Sequence, residues 1–244
     1  IRHIDWNVTA RMNAPHVRQY VEDREITAWF LLDLSPSMAF GPVERPKEAI
    51  LVDFVTVLAR LLTRNGNRVG AILYNNQSAK IIPPRSGRNQ VLRIIRDLLK
   101  QSEVPLGNTT NLHTLLYAGL NAFNRRSLVF VISDFFSEPG WEKPLALLGR
   151  RHELVTIRLW DPRESELPDA GLVVVEDAET GEQLYVDTSH PEFRRRFYEA
   201  AARRDLQLNE SFRQAGVDRF AVSTEEDLVS AIIRMSTLRK RRRG

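Results

Sequence analysis

The stretch ITAWFLLDLSPSM, residues 26–38, decides which fold this sequence can adopt. It is an apolar run rich in β-branched and aromatic residues, and it ends abruptly in Asp33, followed by two serines at alternate positions. Continuous apolar runs of this length are typical of parallel strands that are buried on both faces. We therefore predict a central strand whose carboxyl end opens onto a loop of oxygen-bearing side chains.

The loop residues Asp33, Ser35 and Ser37 form the pattern Asp-x-Ser-x-Ser. Three side chains at positions i, i+2 and i+4 of one tight loop can converge on a point, and oxygen ligands of low total charge suit a hard cation such as Mg²⁺. The alternative is a serine turn without an ion, since a pattern this short is expected by chance in roughly one chain in twenty of this length. The motif therefore needs support from other segments.

Length and composition place the chain among globular proteins. It has 244 residues, 43% of them hydrophobic, which is enough to build a full core in one α/β domain. The absence of cysteine excludes disulfides and thiolate metal sites, fits a reducing compartment and predicts a cytoplasmic location. No apolar run reaches the roughly 20 residues of a membrane span. Because the chain begins with Ile1, we expect an upstream part, which could include a membrane anchor.

The net charge of +4 comes from the end of the chain. The run RKRRR at 239–243 carries five positive charges, so the remainder carries −1 (4 − 5). A short basic run can contact nucleic acid or anionic lipid, but a solvated chain end is its commoner meaning. We interpret 239–244 as a basic tail.

Apolar strands alternate with helical patterns through most of the chain. This alternation predicts an α/β fold with a doubly wound, mostly parallel sheet of the Rossmann-like kind. Two strands joined by a polar turn, within 67–82, predict a hairpin at the sheet edge, and a Thr-Gly pair between two short strands predicts an added hairpin over 170–187. We expect the domain to span 26–238 and the segment 1–25 to pack against it.

The helices are predicted from apolar periodicity and from capping residues. The first helix is expected to begin near Pro46 and to include Val57 and Leu61 among its inward positions. Ser86 and Thr224 are predicted to cap later helices, because a serine or threonine oxygen can accept from the unpaired N–H groups of a first turn.

A second apolar strand, 127–133, also runs directly into an acid, Asp134. In open α/β sheets, ligand sites lie outside the carboxyl ends of the strands, where the strand order reverses. If the two most apolar strands are neighbours, both acids stand at one edge, and Thr110 reaches it from the loop before a helix. We predict that five oxygen-bearing side chains surround one cation: Asp33, Ser35, Ser37, Thr110 and Asp134.

This set resembles the metal-ion-dependent adhesion site of von Willebrand factor A domains. Asp33, Ser35 and Ser37 match its Asp-x-Ser-x-Ser, Thr110 matches its separate threonine and Asp134 matches its second acid. The segments RHIDW at 2–6, AR at 10–11 and EDRE at 22–25 resemble the bacterial family of unknown function number fifty-eight, whose members have such a domain. The resemblance covers nearly the whole chain.

The resemblance implies binding without catalysis. In such sites the hydroxyls contact Mg²⁺ or Mn²⁺ directly, the acids act mainly through water, and a partner protein supplies a carboxylate to the open position. It also implies association with a MoxR-type AAA+ ATPase in assembling or remodelling protein complexes. Met38, Phe40 and Phe136 could form an apolar rim for the partner, although core packing is an equally good interpretation of each.

Two other functions are compatible with parts of the sequence. A Mg²⁺-dependent phosphotransferase or phosphatase could use Asp33 as its nucleophile, but haloacid-dehalogenase-like enzymes place a second acid two residues later, where this chain has Ser35. A nucleic-acid-binding module could use the basic tail, which offers charge without interleaved aromatic residues. We therefore predict a protein that is not an enzyme.

Overall fold

The computed structural model describes residues 25–42, 45–100, 110–177 and 180–243, with side chains up to Leu238. The predicted N-terminal segment 1–25 lies outside these ranges except for Glu25. The strands are β1 (Thr27–Asp33), β2 (Arg68–Tyr74), β3 (Ala79–Arg85), β4 (Leu128–Ser133), β5 (Glu153–Trp160), β6 (Leu172–Glu176), β7 (Gln183–Asp187) and β8 (Arg219–Ser223). The α-helices are α1 (Lys47–Arg64), α2 (Arg88–Leu99), α3 (Leu112–Ala122), α4 (Glu142–Arg151), α5 (Pro191–Ala215) and α6 (Leu228–Arg243).

The main sheet has the order β3-β2-β1-β4-β5-β8. All neighbours in it are parallel except β2 and β3, which form the predicted antiparallel hairpin at the edge. The chain moves outward from β1 to β2 and β3 and then returns to the other side of β1 as β4, so the strand order reverses between β1 and β4. The added hairpin, β6 and β7, forms a separate two-stranded sheet. The doubly wound α/β fold is confirmed.

Side chains of β1 alternate between two hydrophobic cores because successive residues of a strand point to opposite faces of the sheet. Phe30 and Leu32 face the core that α1, α2 and α6 cover, whereas Trp29 and Leu31 face the core under α3, α4 and α5. From Ala28 onward every residue of the strand is buried, as expected for the centre of a doubly wound sheet.

Several local predictions about the helices are wrong. The residue before α2 is Gly87, with φ 86°, and it provides no side-chain cap, so Ser86 is not the capping residue. At the start of α6 the N–H of Ser230 donates to Asp227, and the Thr224 hydroxyl bonds elsewhere. Val57 and Leu61 are 42% and 52% exposed, because they lie beside the buried stripe of α1.

The basic run 239–243 continues α6 and is not a separate tail. Arginine and lysine are good helix formers, and positive charge is favourable at the carboxyl end of a helix, so the run can extend the last turn. Across the described ranges, no helix combines the length and the apolar character that a membrane crossing requires.

Candidate metal site

The carboxyl ends of β1 and β4 lie side by side, because these strands pair in parallel up to Leu32 and Ile132. The Ser133 hydroxyl then donates to Asp33 Oδ2 at 2.6 Å, across the two strands. Asp33 and Asp134 are both completely buried. The structure therefore brings the two predicted acids to one edge of the sheet, at the point where the strand order reverses.

The serine loop turns immediately after β1. The Ser35 N–H donates to Asp33 Oδ1 at 3.0 Å, which closes a tight turn around the acid. Residues Pro36–Ala39 form a short 3-10 helix, and the hydroxyl oxygens of Ser35 and Ser37 lie 3.1 Å apart. Both serines are buried, so the two hydroxyls lie next to each other with little exposure to solvent.

Thr110 reaches the same edge from the loop before α3. Its carbonyl accepts from the Glu138 N–H and from the Ser137 hydroxyl, each at 3.0 Å, and these two residues follow Asp134 closely in the chain. The next N–H, that of Asn111, donates to the Tyr74 hydroxyl at the end of β2. Thr110 is buried. We call the five residues Asp33, Ser35, Ser37, Thr110 and Asp134 the metal edge.

The metal edge holds negative charge that its protein environment does not fully compensate. Burial and, to a smaller extent, the nearby Asp134 raise the pKa of Asp33 to about 7, against the hydrogen bonds from Ser133 and Ser35 that lower it. A cation among these oxygens would favour the ionised form of Asp33. The donor set of hydroxyls and carboxylates is of the kind that Mg²⁺ accepts.

The predicted ligand set includes three hydroxyls, unlike metal centres built from His, Cys, Asp and Glu side chains alone. In the part of the chain that the structure describes, no group of three His, Cys, Asp or Glu side chains is arranged to hold a metal ion. Three neutral hydroxyls as direct ligands, with the two acids acting mainly through water, would leave the ion electropositive, with several positions for water or for an external ligand.

Lys47 is the residue of this region that the sequence did not reveal. It is the first residue of α1, it is completely buried, and it donates to Asp134 Oδ2 at 2.7 Å and to Glu164 Oε1 at 2.5 Å. Burial lowers the pKa of Lys47, but the two carboxylates outweigh this effect and raise the pKa above its ordinary value. A lysine at a helix start, where positive charge is disfavoured, is the available sequence signal.

The three residues proposed for an apolar rim differ in exposure. Phe40 is 41% exposed and Phe136 is partly buried, and the Lys47 ammonium lies 5.7 Å and 5.3 Å from their ring centroids. Met38 is 1% exposed and packs in the core beside α1, so the rim prediction is wrong for Met38. Its place inside a short 3-10 helix turns the side chain toward the core and away from solvent.

The family model described as "Protein of unknown function DUF58" matches residues 1–207. An uncharacterized protein of Mycobacterium tuberculosis, Rv1480, is 33% identical over 243 residues, which cover 99% of this chain and 76% of that protein. A second uncharacterized protein, MAV169 of Mycobacterium avium, is 33% identical over 165 residues, which cover 67% of this chain and 95% of that protein.

Solved structures show a similar fold at low sequence identity. The hypothetical protein BatB of Bacteroides thetaiotaomicron aligns with a TM-score of 0.58 and 14% identity, over 90% of this chain and 100% of that chain. An aerotolerance-related membrane protein of Bacteroides fragilis aligns with a TM-score of 0.57 and 15% identity, over 87% and 97%. The SpRpn10 VWA domain aligns with a TM-score of 0.47 and 13% identity, over 86% and 94%. Likeness at this level of identity concerns the fold alone.

Proposed function

The chain belongs to the family of proteins of unknown function DUF58 and has a von Willebrand factor A type of fold, and from this premise we propose that it is a non-enzymatic, divalent-metal-dependent protein-interaction adaptor. The observation that carries the proposal is the pair of buried serine hydroxyls, 3.1 Å apart, beside two buried acids where the strand order reverses. Ser35, Ser37 and Thr110 would contact Mg²⁺ or Mn²⁺, and Asp33 and Asp134 would act mainly through water.

The bound ion would supply an electropositive position that a carboxylate of a partner protein can complete. The chain's own contribution is to hold the hydroxyls and acids in place. The Ser35 N–H and the Ser133 hydroxyl fix both oxygens of Asp33, and the Phe136 N–H holds Asp134 Oδ1 at 2.9 Å. A site fixed in this way needs little reorganisation when ion and partner arrive.

The same hydrogen bonds argue against catalysis by Asp33. A phosphoryl acceptor has to present a free carboxylate oxygen to its substrate, whereas both oxygens of Asp33 accept hydrogen bonds and its side chain is completely buried. We therefore retain the adaptor and not the phosphotransferase. The family resemblance supports a MoxR-type AAA+ ATPase as partner, and a cytoplasmic location stays a prediction.

The metal site is tested by calorimetric titration of the protein with Mg²⁺ and Mn²⁺. The wild type should bind one ion, and a variant with Ser35→Ala and Ser37→Ala should lose at least about tenfold in affinity, because it lacks two direct ligands. The control is Ser127→Ala, a buried serine whose hydroxyl donates to the Arg125 carbonyl just before β4, at the opposite edge of the sheet. Equal binding by all three proteins would refute the site.

The adaptor role is tested by capture of proteins from a lysate of the source cells with the wild type and the double serine variant. We expect proteins that are retained in Mg²⁺, released by a chelator and not retained by the variant. If the same proteins are retained in the presence of the chelator and by the double serine variant, recognition does not depend on the metal, even if the ion binds.

A further inference from the structure

The first turn of α1 carries a buried cation that the proposed adaptor mechanism does not use. Burying an ammonium costs several kcal/mol, and the start of a helix disfavours positive charge. Lys47 is nevertheless completely buried, held by hydrogen bonds to Asp134 and Glu164. The rings of Phe40 and Phe136 lie within the range of cation–π attraction. These four partners indicate a structured site and not an incidental contact. We call Lys47, Asp134 and Glu164 the charge site.

Glu164 belongs to this charge site without belonging to the metal edge. It ends a short 3-10 helix, Pro162–Glu164, that follows β5, and its side chain is 8% exposed. Its Oε1 accepts from Lys47, while its buried Oε2 has no hydrogen-bond partner among the described residues. Arg158 contributes favourable charge, but its own ion pair is with Asp205. The Lys47 ammonium is thus the direct partner of a nearly buried carboxylate.

Asp134 connects the charge site to the metal edge. One of its oxygens accepts from the Phe136 N–H, and the other accepts from Lys47. An ion that depends on Asp134 would share this acid with an ammonium that is covalently tethered to α1 and cannot diffuse away. Like charges held a few ångströms apart in a poorly solvated region repel each other strongly.

We propose that Lys47 is a built-in counter-cation of the metal edge, which holds Asp134 and Glu164 in the absence of a divalent ion and lowers the affinity for that ion. The inference rests on the proposed metal-dependent function and adds its regulation. Lys47 compensates Asp134 and Glu164 when no metal is bound, and the site fills only when the divalent ion is abundant or when a partner carboxylate adds to the binding.

The test compares the Mg²⁺ and Mn²⁺ affinities of the wild type and Lys47→Met by calorimetry. Methionine keeps much of the length of lysine without its charge, so the variant should bind the ion at least about tenfold more tightly. In a chelator, the variant should unfold at a lower temperature than the wild type, because two buried acids lose their cation. Saturating Mg²⁺ should raise its melting temperature more than that of the wild type.

Three further proteins keep the test decisive. Lys80→Met is the matched control, because Lys80 pairs with Asp97 at 3.0 Å but is 44% exposed and lies on the edge strand β3, so ion affinity should not change. If Lys47→Met does not fold, Glu164→Gln is compared with Lys47→Met combined with Glu164→Gln. Glu164→Gln and the double variant again differ only at Lys47. Both lack the Glu164 carboxylate, so the double variant leaves only Asp134 without the lysine cation.

Tighter ion binding without the Lys47 charge supports the proposal, even if the wild type alone binds too weakly to detect. Unchanged or weaker binding, with a wild type that does bind, would overturn the counter-cation and leave the metal-dependent function intact. Failure of the wild type and of every variant to bind an ion would overturn both, so the two failures are distinguishable.

Discussion

Two neighbouring regions at the carboxyl edge of the sheet contain buried acids, yet only one of them is a candidate metal site. Asp33 ends β1, Asp134 follows β4 and Asp161 follows β5. All three are completely buried. In each, Oδ1 accepts from the backbone N–H two residues later, that of Ser35, Phe136 or Arg163, at 3.0, 2.9 and 2.8 Å.

The regions differ in what satisfies the second carboxylate oxygen. Asp161 Oδ2 accepts from the Thr224 hydroxyl at 2.5 Å and lies 3.6 Å from the Arg163 guanidinium, so that acid has its own counter-charge. Asp33 Oδ2 accepts from the neutral Ser133 hydroxyl, and Asp134 Oδ2 shares the Lys47 ammonium with Glu164.

The comparison teaches that a buried acid at a strand end is not by itself a metal ligand. Such acids recur because a carboxylate is a good acceptor for the N–H groups of a turn that leaves the sheet. A candidate site requires, in addition, incomplete local compensation of charge and neighbouring oxygen donors. Ser35 and Ser37 meet the second requirement beside Asp33, whereas Asp161 has a threonine already engaged with it.

The largest predicted effect is on metal binding by the acids themselves. Asp33→Ala should weaken Mg²⁺ binding at least about a hundredfold, because the edge loses a charge and the anchor of the serine loop. Asp161→Ala should leave ion affinity within about threefold and instead destabilise the fold by about 2 kcal/mol, since the Arg163 N–H and the Thr224 hydroxyl lose their acceptor. Calorimetric titration and thermal unfolding measure the two effects.

The matched pair can contradict the comparison directly. Similar losses of ion affinity in Asp33→Ala and Asp161→Ala would mean that the whole edge, and not the serine loop, holds the ion. Normal ion binding by Asp33→Ala would remove the contrast between the two regions.

A smaller effect is expected in the pH dependence of stability. The pKa of Asp33 rises from 3.8 to about 7 on folding, chiefly through burial. Below about pH 3.8 the group is protonated in both states, and between pH 3.8 and 7 the folded state alone retains the proton. Stability in a chelator should therefore fall as pH rises through this window, by up to about 1.4 kcal/mol per pH unit, and the loss should level off above pH 7.

Asp33→Asn should remove this pH dependence of stability. Saturating Mg²⁺ should reduce the pH dependence in the wild type, because the ion favours the ionised carboxylate. The free energy of unfolding, measured in denaturant at several pH values, provides the check. Ser127→Ala, which removes no ionisable group, serves as the control and should retain the wild-type slope. Parallel curves for the wild type and Asp33→Asn would mean that burial does not perturb Asp33 as described.

The fold and part of the site could be predicted because their signals are local. The apolar runs before Asp33 and Asp134 identify the two central strands, and the Asp-x-Ser-x-Ser spacing lies within five residues. The alternation of strands with helices predicts the doubly wound sheet, and a turn signal predicts each of the two hairpins. These features depend on residues that are close in the sequence, so the sequence alone is sufficient to recognise them.

What the sequence could not reveal depends on distant partners. Lys47 meets Asp134 and Glu164 across 87 and 117 residues, and no local pattern marks that pairing. The Thr224 hydroxyl was predicted to cap a helix, but it bonds to Asp161, 63 residues earlier, because β5 and β8 are neighbours. A hydroxyl near a helix start has several local uses, and only the strand order selects among them.

The smallest effect concerns the hydroxyls that hold the second oxygen of each acid. Ser133→Ala leaves Asp33 Oδ2 without its donor, and Thr224→Val does the same for Asp161 Oδ2, so each should cost about 1–3 kcal/mol of stability in a chelator. Saturating Mg²⁺ should recover part of the loss in Ser133→Ala, because the ion compensates Asp33, and none of the loss in Thr224→Val. Thermal unfolding with and without Mg²⁺ measures the difference. Equal recovery of stability in both variants would show that the ion stabilises the fold without acting on Asp33. Asp33 and Asp161 would then differ only in their hydrogen bonds and not in metal binding.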